Sequence, residues 1–300
     1  MSQVVTLISP PDQPAVTEAL AHKVAQYMPD SRAAEWLAPG IAADVVFGDS
    51  DEIDPQRAIK DLREIVGDAP VDVVVQPHEG RRKRLLVADM DSTMIGQECI
   101  DELADHAGFK DRVAAITERA MRGEIEFAPA LRERVALLKG LPVTLIDELI
   151  AERIRLTPGG PVLVATMRAN GAYTCVVSGG FTAFTARLAA MIGFDEQRAN
   201  TLLVDADGRL TGKVAEPVLG REAKLEALTT LRDRFRLTRE DTLAVGDGAN
   251  DIPMIRAADL GVAFHGKPAI RQAAAACIDH GDLTALLYAQ GYRRDEFVER

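Results

Sequence analysis

Residues 85–94 read LLVADMDSTM, in which four apolar residues run directly into two acids, Asp89 and Asp91. A short apolar run bounded by polar residues indicates a buried strand. Because alternate side chains of an extended segment point to the same side, we expect the two carboxylates to lie close together. Such acids repel each other unless a cation or a shared proton offsets their charge. The stretch therefore predicts a strand that carries two acids to a cation such as Mg²⁺.

Four more strand-like runs follow, and helical stretches separate them. They read AYTCVVSGG (172–180), DTLAVGDG (241–248), LGVAF (260–264) and AACIDH (275–280). Near-continuous apolar runs between helices are typical of a parallel sheet that is buried on both faces. Two insertions interrupt the alternation: residues 96–156 are helical in pattern, and residues 201–215 predict a β-hairpin that turns at Asp207-Gly208. The predicted fold class is therefore α/β, a Rossmann-like parallel sheet with a helical insertion after its first strand.

The first 76 residues predict a separate unit. Short apolar strands alternate there with two helical stretches, a pattern typical of a small α+β domain with one helical layer. The segment that follows, PHEGRRKR at residues 77–84, is polar and basic and is the best candidate for a boundary. We interpret it as a solvated linker, so that the larger domain spans residues 85–300.

Composition narrows the classes of protein that this chain can represent. Its 300 residues are 47% hydrophobic and 27% charged, which is typical of a globular chain with one large and one small domain. No apolar run approaches the roughly 18 residues that span a bilayer, and the amino terminus lacks a signal-peptide pattern, so we expect a cytoplasmic protein without a membrane partner. A net charge of −11 gives no electrostatic footprint for nucleic acid. Three cysteines lack disulfide or zinc spacing and are expected to be small buried residues: Cys99, Cys175 and Cys277.

A small hydroxyl and two glycines close the second core strand. Ser178, Gly179 and Gly180 are expected to open a helix that stops near Gly193. A helix start presents backbone N–H groups to an anion, and the helix dipole adds to the attraction. The segment therefore predicts a binding site for an anionic group.

The third core strand ends in the Gly-rich turn GDGAND, residues 246–251. It supplies Asp247, Asn250 and Asp251, while Lys224 comes earlier on a predicted helix. Open α/β sheets place their ligands at the carboxyl ends of the strands. We therefore expect these side chains to lie at the same edge of the sheet as the first pair of acids.

Each of these segments has an ordinary structural interpretation when it is taken alone. Asp-Ser-Thr after a strand can be a helix N-cap, Ser-Gly-Gly a simple turn, and Lys224 a solvated side chain. The GDGAND turn can be a plain loop or part of a calcium site, although it lacks the spacing and closing glutamate of an EF-hand. Their succession on consecutive strands nevertheless favours a catalytic site.

In combination the segments resemble the four motifs of the haloacid dehalogenase (HAD) superfamily of phosphohydrolases. The motifs are Asp89-Met90-Asp91-Ser92-Thr93, Ser178-Gly179-Gly180, Lys224 and Gly246-Asp247-Gly248-Ala249-Asn250-Asp251. The closer resemblance is to the phosphoserine phosphatase family, because Glu98 follows Asp91 by seven residues and LRERVALLKGLP (131–142) resembles that family's cap. The similarity covers about residues 84–290. Residues 1–76 resemble an ACT-like regulatory fold in the order of their strands and helices.

The resemblance implies a HAD-type core with a helical cap and the hydrolysis of O-phospho-L-serine, the last step of serine biosynthesis. It implies that Asp89 is a nucleophile that forms an aspartyl-phosphate, and that Asp91 acts as general acid and then as general base. It places Mg²⁺ on the side chains of Asp89 and Asp247 and on the backbone carbonyl of Asp91.

The same resemblance implies a set of phosphate-binding residues. Lys224, Ser178 and the Gly179 amide are expected to hold the phosphoryl oxygens. Asn250 is expected to position the phosphate or the lysine, and Asp251 to orient Lys224 or support the metal.

Two residues in or beside the cap are implied to read the amino-acid end of the substrate. Glu98 is expected to meet the ammonium group of phosphoserine, and Arg134 its carboxylate. The alternatives are a glutamate on a helix surface and an arginine paired with a neighbouring glutamate. The cap itself is expected to close over the site and exclude water.

Several functions stay open at this level. A related enzyme could act on another small phosphate ester or pass the phosphoryl group to an alcohol. In a different class, the catalytic half could be the scaffold of a serine-binding regulatory protein, although the intact acids and lysine argue against it. The first 76 residues could bind an effector, form a homodimer or merely pack against the rest.

Overall fold

The computed structural model describes residues 2–48, 55–122 and 124–299. Its amino-terminal elements are β1 (Gln3–Ile8), α1 (Glu18–Tyr27), β2 (Glu35–Ala38), β3 (Ala42–Phe47), α2 (Pro55–Val66) and β4 (Asp72–Pro77). The strands form one antiparallel sheet in the order β2-β3-β1-β4, and both helices pack on its apolar face. This β-α-β-β-α-β order confirms the predicted small α+β unit. Its ACT-like regulatory character and the boundary at residues 77–84 stay predictions.

The larger part of the chain is built on a six-stranded parallel sheet. The strands that follow β4 are β5 (Leu85–Ala88), β6 (Tyr173–Phe181), β7 (Glu196–Asn200), β8 (Leu202–Val204), β9 (Leu210–Val214), β10 (Thr242–Gly246), β11 (Leu260–Phe264) and β12 (Ala276–Ile278). The sheet order is β12-β11-β10-β5-β6-β7, and all neighbours are parallel, which confirms the predicted α/β class. The sequence pattern does not predict β7, because this edge strand reads EQRAN and buries little apolar surface.

Apolar clusters on both faces of the sheet explain why its strands read as continuous hydrophobic runs. Leu86 and Ala88 of β5 point into one cluster, whereas Leu85 and Val87 point into the other. The helices outside the insertion are α7 (Gly160–Ala169), α8 (Thr182–Ile192), α9 (Glu222–Arg234), α10 (Ile252–Ala257), α11 (Pro268–Arg271) and α12 (Ala285–Ala289). All three cysteines are buried and unbonded, as predicted.

The helical insertion between β5 and β6 forms a cap. Its helices are α3 (Cys99–His106), α4 (Lys110–Met121), α5 (Phe127–Ala136) and α6 (Leu145–Glu152). The outgoing and returning chains pair as a short antiparallel bridge between Ile95 and Leu156. The predicted hairpin is confirmed as β8 and β9, and the Gly140 N–H donates to the carbonyl of Leu210 at 2.8 Å, which ties the hairpin to the cap.

The basic segment at the junction is not the solvated linker that its sequence suggests. The guanidinium of Arg81 lies 2.5 Å from Asp44 of β3, and both side chains are largely buried. Lys83 is only 4% exposed. Its ammonium donates to three oxygens, the carbonyls of Gly80 and Glu240 and the carboxylate of Asp259. These ion pairs fasten the amino-terminal sheet to the amino edge of the parallel sheet.

A second contact joins the two sheets at β4. The carboxylate of Asp72 is buried and accepts backbone N–H groups from Asp279, His280 and Gly281 at 2.8–3.2 Å. Burial raises the pKa of Asp72, and the three N–H donors oppose that rise.

Among the described helices none is both long and apolar enough to cross a membrane.

Candidate active site

The candidate site lies where β5 and β10 end side by side. β10 lies on one side of β5, and β6, the next strand along the chain, lies on the other side. Open α/β sheets bind ligands at such a reversal of strand order. Asp89 follows β5, Asp247 follows β10, and the N–H of Asp89 donates to the carbonyl of Val245 at 3.0 Å. This pairing brings together two acidic motifs that are far apart in the sequence.

The tight turn at residues 90–94 directs the second acid of the first motif. Ser92 in this turn has a φ of 57°, in the left-handed region that few non-glycine residues adopt. The carboxylate of Asp91 accepts the hydroxyl of Ser178 at 2.8 Å and the N–H of Cys99 at 2.9 Å. Asp91 is therefore held between the end of β6 and the first helix of the cap.

A buried lysine lies beneath these acids. The ammonium of Lys224 lies 2.6 Å from Asp89 and 2.5 Å from Asp251, and its side chain is only 3% exposed, which rules out a solvated surface lysine. Burial alone would lower the pKa of Lys224, but the two carboxylates outweigh it and raise the pKa above its usual value. Burial raises the pKa of Asp89 well above its usual value, and Lys224 opposes that rise.

Three carboxylates form a group that fits a metal ion. Asp89, Asp247 and Asp251 each place an oxygen within 4.8 Å of the others, and all three residues are buried. Oxygen ligands of this kind suit a hard divalent cation. Lys224 contacts Asp89 and Asp251, and Lys267 contacts Asp247, so two positive charges face three carboxylates. The Asp91 side chain lies outside this group, and the family resemblance assigns only its backbone carbonyl to the metal.

The Ser-Gly-Gly segment differs from the predicted helix start. Strand β6 continues to Phe181, and α8 begins only at Thr182, so Ser178 and the glycines lie in extended backbone. Extension of the strand carries Ser178 to Asp91, and the glycines precede the helix rather than form its first turn. A Cβ on Gly179 would lie 3.3 Å from the ring of Phe127, a contact tighter than most, so the cap approaches this residue closely.

Glu98 lines the same cavity and is one of its exposed residues. Its carboxylate accepts the hydroxyl of Ser92 at 2.9 Å. Two effects raise the pKa of Glu98 to about 7, although part of the side chain is open to solvent. The larger is the removal of water by the surrounding protein, and the second is the negative charge of Asp91 and Asp247. Glu98 therefore faces the other acids rather than an open helix surface.

Arg134 approaches the cavity from α5 of the cap. Its guanidinium donates only long hydrogen bonds, to the carbonyl of Ala130 at 3.3 Å and the hydroxyl of Thr117 at 3.4 Å. Burial lowers its pKa, and the charges of Asp101 and Glu98 oppose that change. Within the described ranges Arg134 forms no ion pair. The alternative that this arginine is paired with a neighbouring glutamate is therefore wrong for these residues. Its fork is free to bind an anion.

These groups enclose a cavity of about 150 Å³ between the sheet edge and the cap. Its lining comprises Asp89, Asp91, Glu98, Ile100, Phe127, Leu131, Arg134, Gly179, Gly180, Phe181, Asp247, Asn250 and Lys267. Ser178, Lys224 and Asp251 lie beneath this surface and contact its acids. All the residues that the sequence nominated thus line this cavity or contact residues that do.

Lys267 and Phe127 are among the cavity residues that sequence reasoning missed. The ammonium of Lys267 lies 2.8 Å from Asp247, and this lysine comes three residues after the end of β11, a position that the strand-end rule could have identified. Phe127 carries no such signal, because an aromatic residue in an amphipathic helix usually indicates a packing role.

Comparison with known proteins gives a consistent picture. The haloacid dehalogenase-like hydrolase family matches residues 86–256. The chain is 44% identical over 237 residues to the phosphoserine phosphatase SerB2 of Mycobacterium tuberculosis, a match that covers 78% of this chain and 58% of that protein. It therefore spans little more than half the length of the first curated relatives that it matches.

Two solved structures are similar over different extents. A HAD family hydrolase of Salmonella enterica serovar Typhi aligns with a TM-score of 0.82 at 28% identity, over 99% of this chain and 100% of that one. A substrate-bound phosphoserine phosphatase complex aligns with a TM-score of 0.63 at 40% identity, over 69% of this chain and 97% of that one.

Proposed function

The chain belongs to the haloacid dehalogenase-like hydrolase family, and from this premise we propose that it hydrolyses O-phospho-L-serine to L-serine and phosphate. The observation that carries the proposal is one small cavity whose lining holds two pairs of charged groups. Asp89 and Asp91 are the pair expected to act on a phosphoryl group. Glu98 and Arg134 carry the opposite charges that an ammonium and a carboxylate require.

Asp89 and Asp91 share the chemistry in this proposal. Asp89 attacks phosphorus, so that a bond forms between its carboxylate oxygen and phosphorus while the bond to the serine oxygen breaks. Asp91 donates a proton to the departing serine oxygen and later removes one from the water that hydrolyses the aspartyl-phosphate. The N–H of Cys99 supports this role, because it donates to one oxygen of the Asp91 carboxylate and so orients it.

The family is generally metal-dependent, and the buried acidic group supports a divalent ion here. We assign it as Mg²⁺, which the side chains of Asp89 and Asp247 and the backbone carbonyl of Asp91 would hold. When bound, Mg²⁺ supplies positive charge that offsets the clustered acids and the phosphoryl oxygens.

The remaining polar groups bind and orient the phosphoryl group. Lys224, Ser178 and the Gly179 amide hold its oxygens as charge moves during transfer, and Asn250 positions it from the cavity wall. Asp251 holds Lys224 in place through the 2.5 Å contact between its carboxylate and the ammonium. The cap brings Arg134 and Phe127 over the substrate and excludes water.

A screen for phosphate release tests this function. Small phosphomonoesters are compared with and without Mg²⁺, and phosphoserine is expected to give the highest kcat/KM in its presence. Preference for another ester would assign a different phosphatase of the same family. A new phosphorylated product after addition of an alcohol would indicate phosphotransfer, and no release from any ester would favour a binding protein.

A further inference from the structure

Lys267 is the charged residue of the cavity lining that the mechanism leaves without a role. Each acid of the metal-binding group has a lysine on one of its oxygens: Lys224 contacts Asp89 and Asp251, and Lys267 contacts Oδ2 of Asp247 at 2.8 Å. The two lysines differ in exposure, because the side chain of Lys224 is 3% exposed and that of Lys267 is 62% exposed. Lys267 therefore reaches the group from its solvent side.

The backbone around Lys267 is fixed, although the side chain is exposed. Its N–H donates to the carbonyl of Asp247 at 2.9 Å, so main chain and side chain contact the same residue. Upstream, the His265 N–H donates to the carbonyl of Ile278 at 2.8 Å, and a Cβ on Gly266 would lie 2.9 Å from Ile270. The close packing leaves little freedom for the segment to move away from the end of β10.

A carboxylate at the end of a short side chain can rotate and exchange its two oxygens. An ammonium group on Oδ2 stops this rotation and leaves Oδ1 of Asp247 available to a metal ion. A positive charge beside a cation site also opposes metal binding by Coulomb repulsion. At 62% exposure that repulsion is strongly screened by water, so the orienting effect is expected to prevail.

We propose that Lys267 is a positioning residue that holds Asp247 in the orientation required to bind the divalent cation. The inference rests on the proposed function only in that it takes the group of three acids to be a metal site. It does not depend on which phosphate ester is hydrolysed.

Calorimetric titration of the full chain with Mg²⁺, in the absence of substrate, tests the proposal. Lys267→Met is expected to weaken binding about tenfold, the lower end of the range for groups that orient metal ligands. Lys267→Arg keeps a donor and a positive charge and is expected to restore most of the affinity. Lys23→Met is the matched control, because this exposed lysine of α1 changes the net charge equally but lies outside the cavity lining.

The titration separates this proposal from its rivals. Unchanged affinity in Lys267→Met would show that the ion pair is incidental, and tighter binding would show that Lys267 competes with the metal; either result overturns the proposal. Circular dichroism of the metal-free variants confirms that the fold is retained. If Lys267→Met weakens Mg²⁺ binding but the unmodified protein does not cleave phosphoserine, the proposed function is contradicted and the role of Lys267 is still supported.

Discussion

Two buried lysines lie at opposite edges of the same parallel sheet. Lys83 precedes β5 at the amino edge, Lys224 lies below the carboxyl edge, and both are less than 5% exposed. Each contacts at least one acid at about 2.6 Å, namely Asp259 for Lys83 and Asp89 for Lys224. By burial and ion pairing alone the two edges look alike.

The two edges differ in what is left to bind a ligand. The ammonium of Lys83 has three oxygen acceptors, two of them backbone carbonyls, and thus a complete set of partners. Lys224 instead faces two buried carboxylates with a third close by, next to a cavity. A buried charge therefore does not by itself identify a functional site. A cluster of acids that lies beside a cavity and still has oxygens available to a ligand does identify one.

The largest expected difference between the edges follows from changing one acid at each. Asp89→Asn keeps the shape of the side chain but removes the nucleophile and a metal charge, so kcat is expected to fall on the order of 10⁴-fold. The matched change Asp259→Asn at the amino edge is expected to leave kcat within about twofold. Steady-state kinetics on phosphoserine measures both, and comparable losses would remove the distinction between the edges.

Removal of the metal is expected to act on the carboxyl edge alone. Excess chelator should abolish turnover, and Mg²⁺ should restore it. Ca²⁺ should inhibit, because it takes more oxygen ligands than Mg²⁺ and would compete with phosphorus for the carboxylate of Asp89. Circular dichroism is expected to show an unchanged fold throughout. Full activity in chelator would contradict the assignment of the acidic group.

Substrate selectivity tests Glu98 and Arg134 of the cavity lining. Arg134→Ala and Glu98→Gln each leave one substrate charge unpaired, a penalty of roughly 2–5 kcal/mol, so kcat/KM for phosphoserine is expected to fall about 30-fold or more. Hydrolysis of p-nitrophenyl phosphate, which lacks both charges, should change only a few fold. Equal losses for both esters would mean that these residues serve the chemistry or the fold.

A smaller effect is expected from pH. The pKa of Glu98 is raised to about 7 by desolvation and by Asp91 and Asp247, with Ser92 and Lys267 opposing. Only the ionised form, present above that pKa, pairs with an ammonium. The ratio of kcat/KM for phosphoserine to that for p-nitrophenyl phosphate should therefore fall about tenfold from pH 8 to pH 6.

Both esters carry a phosphate group that ionises near pH 6. The ratio of the two kcat/KM values therefore removes most of the pH dependence that this ionisation causes. Glu98→Gln serves as the control, because its ratio should be low and independent of pH. A ratio that stays constant in the unmodified enzyme would show that Glu98 does not read the ammonium group.

The smallest effect on turnover is expected at the amino edge. Lys83→Met leaves two carbonyls and Asp259 without their donor, and since Asp259 is one-third exposed we expect a loss of about 1–3 kcal/mol in the free energy of unfolding. Denaturant titration measures that loss, while kcat should remain unchanged at temperatures where the protein is folded. A large fall in kcat without loss of stability would link the junction to catalysis.

The sequence predicts most of the catalytic edge because local rules act there. Acids that directly follow apolar strands, such as Asp89 and Asp247, must lie at the carboxyl edge of a parallel sheet once the strands are identified. The hairpin at residues 201–215 follows in the same way from its Asp-Gly turn.

Features that depend on distant contacts could not be predicted. Arg81 and Lys83 appear as a solvated basic run, because their partners Asp44 and Asp259 are far away in the sequence. The position of Lys267 just after β11 follows the strand-end rule, but its pairing with Asp247, twenty residues earlier, could not be predicted. The extension of β6 to Phe181 depends on pairing with β7, whose polar sequence gives no strand signal.

Trapping of the reaction intermediate tests the central claim most directly. The unmodified enzyme is mixed with phosphoserine that carries a labelled phosphate, quenched in acid within the first turnovers, and digested for peptide mapping. We predict an acid-stable, hydroxylamine-labile phosphoryl group on the peptide that contains Asp89, located on that residue. A label on Ser92 or Ser178, or rapid turnover with no label on the protein, would contradict the assignment of Asp89 as the nucleophile.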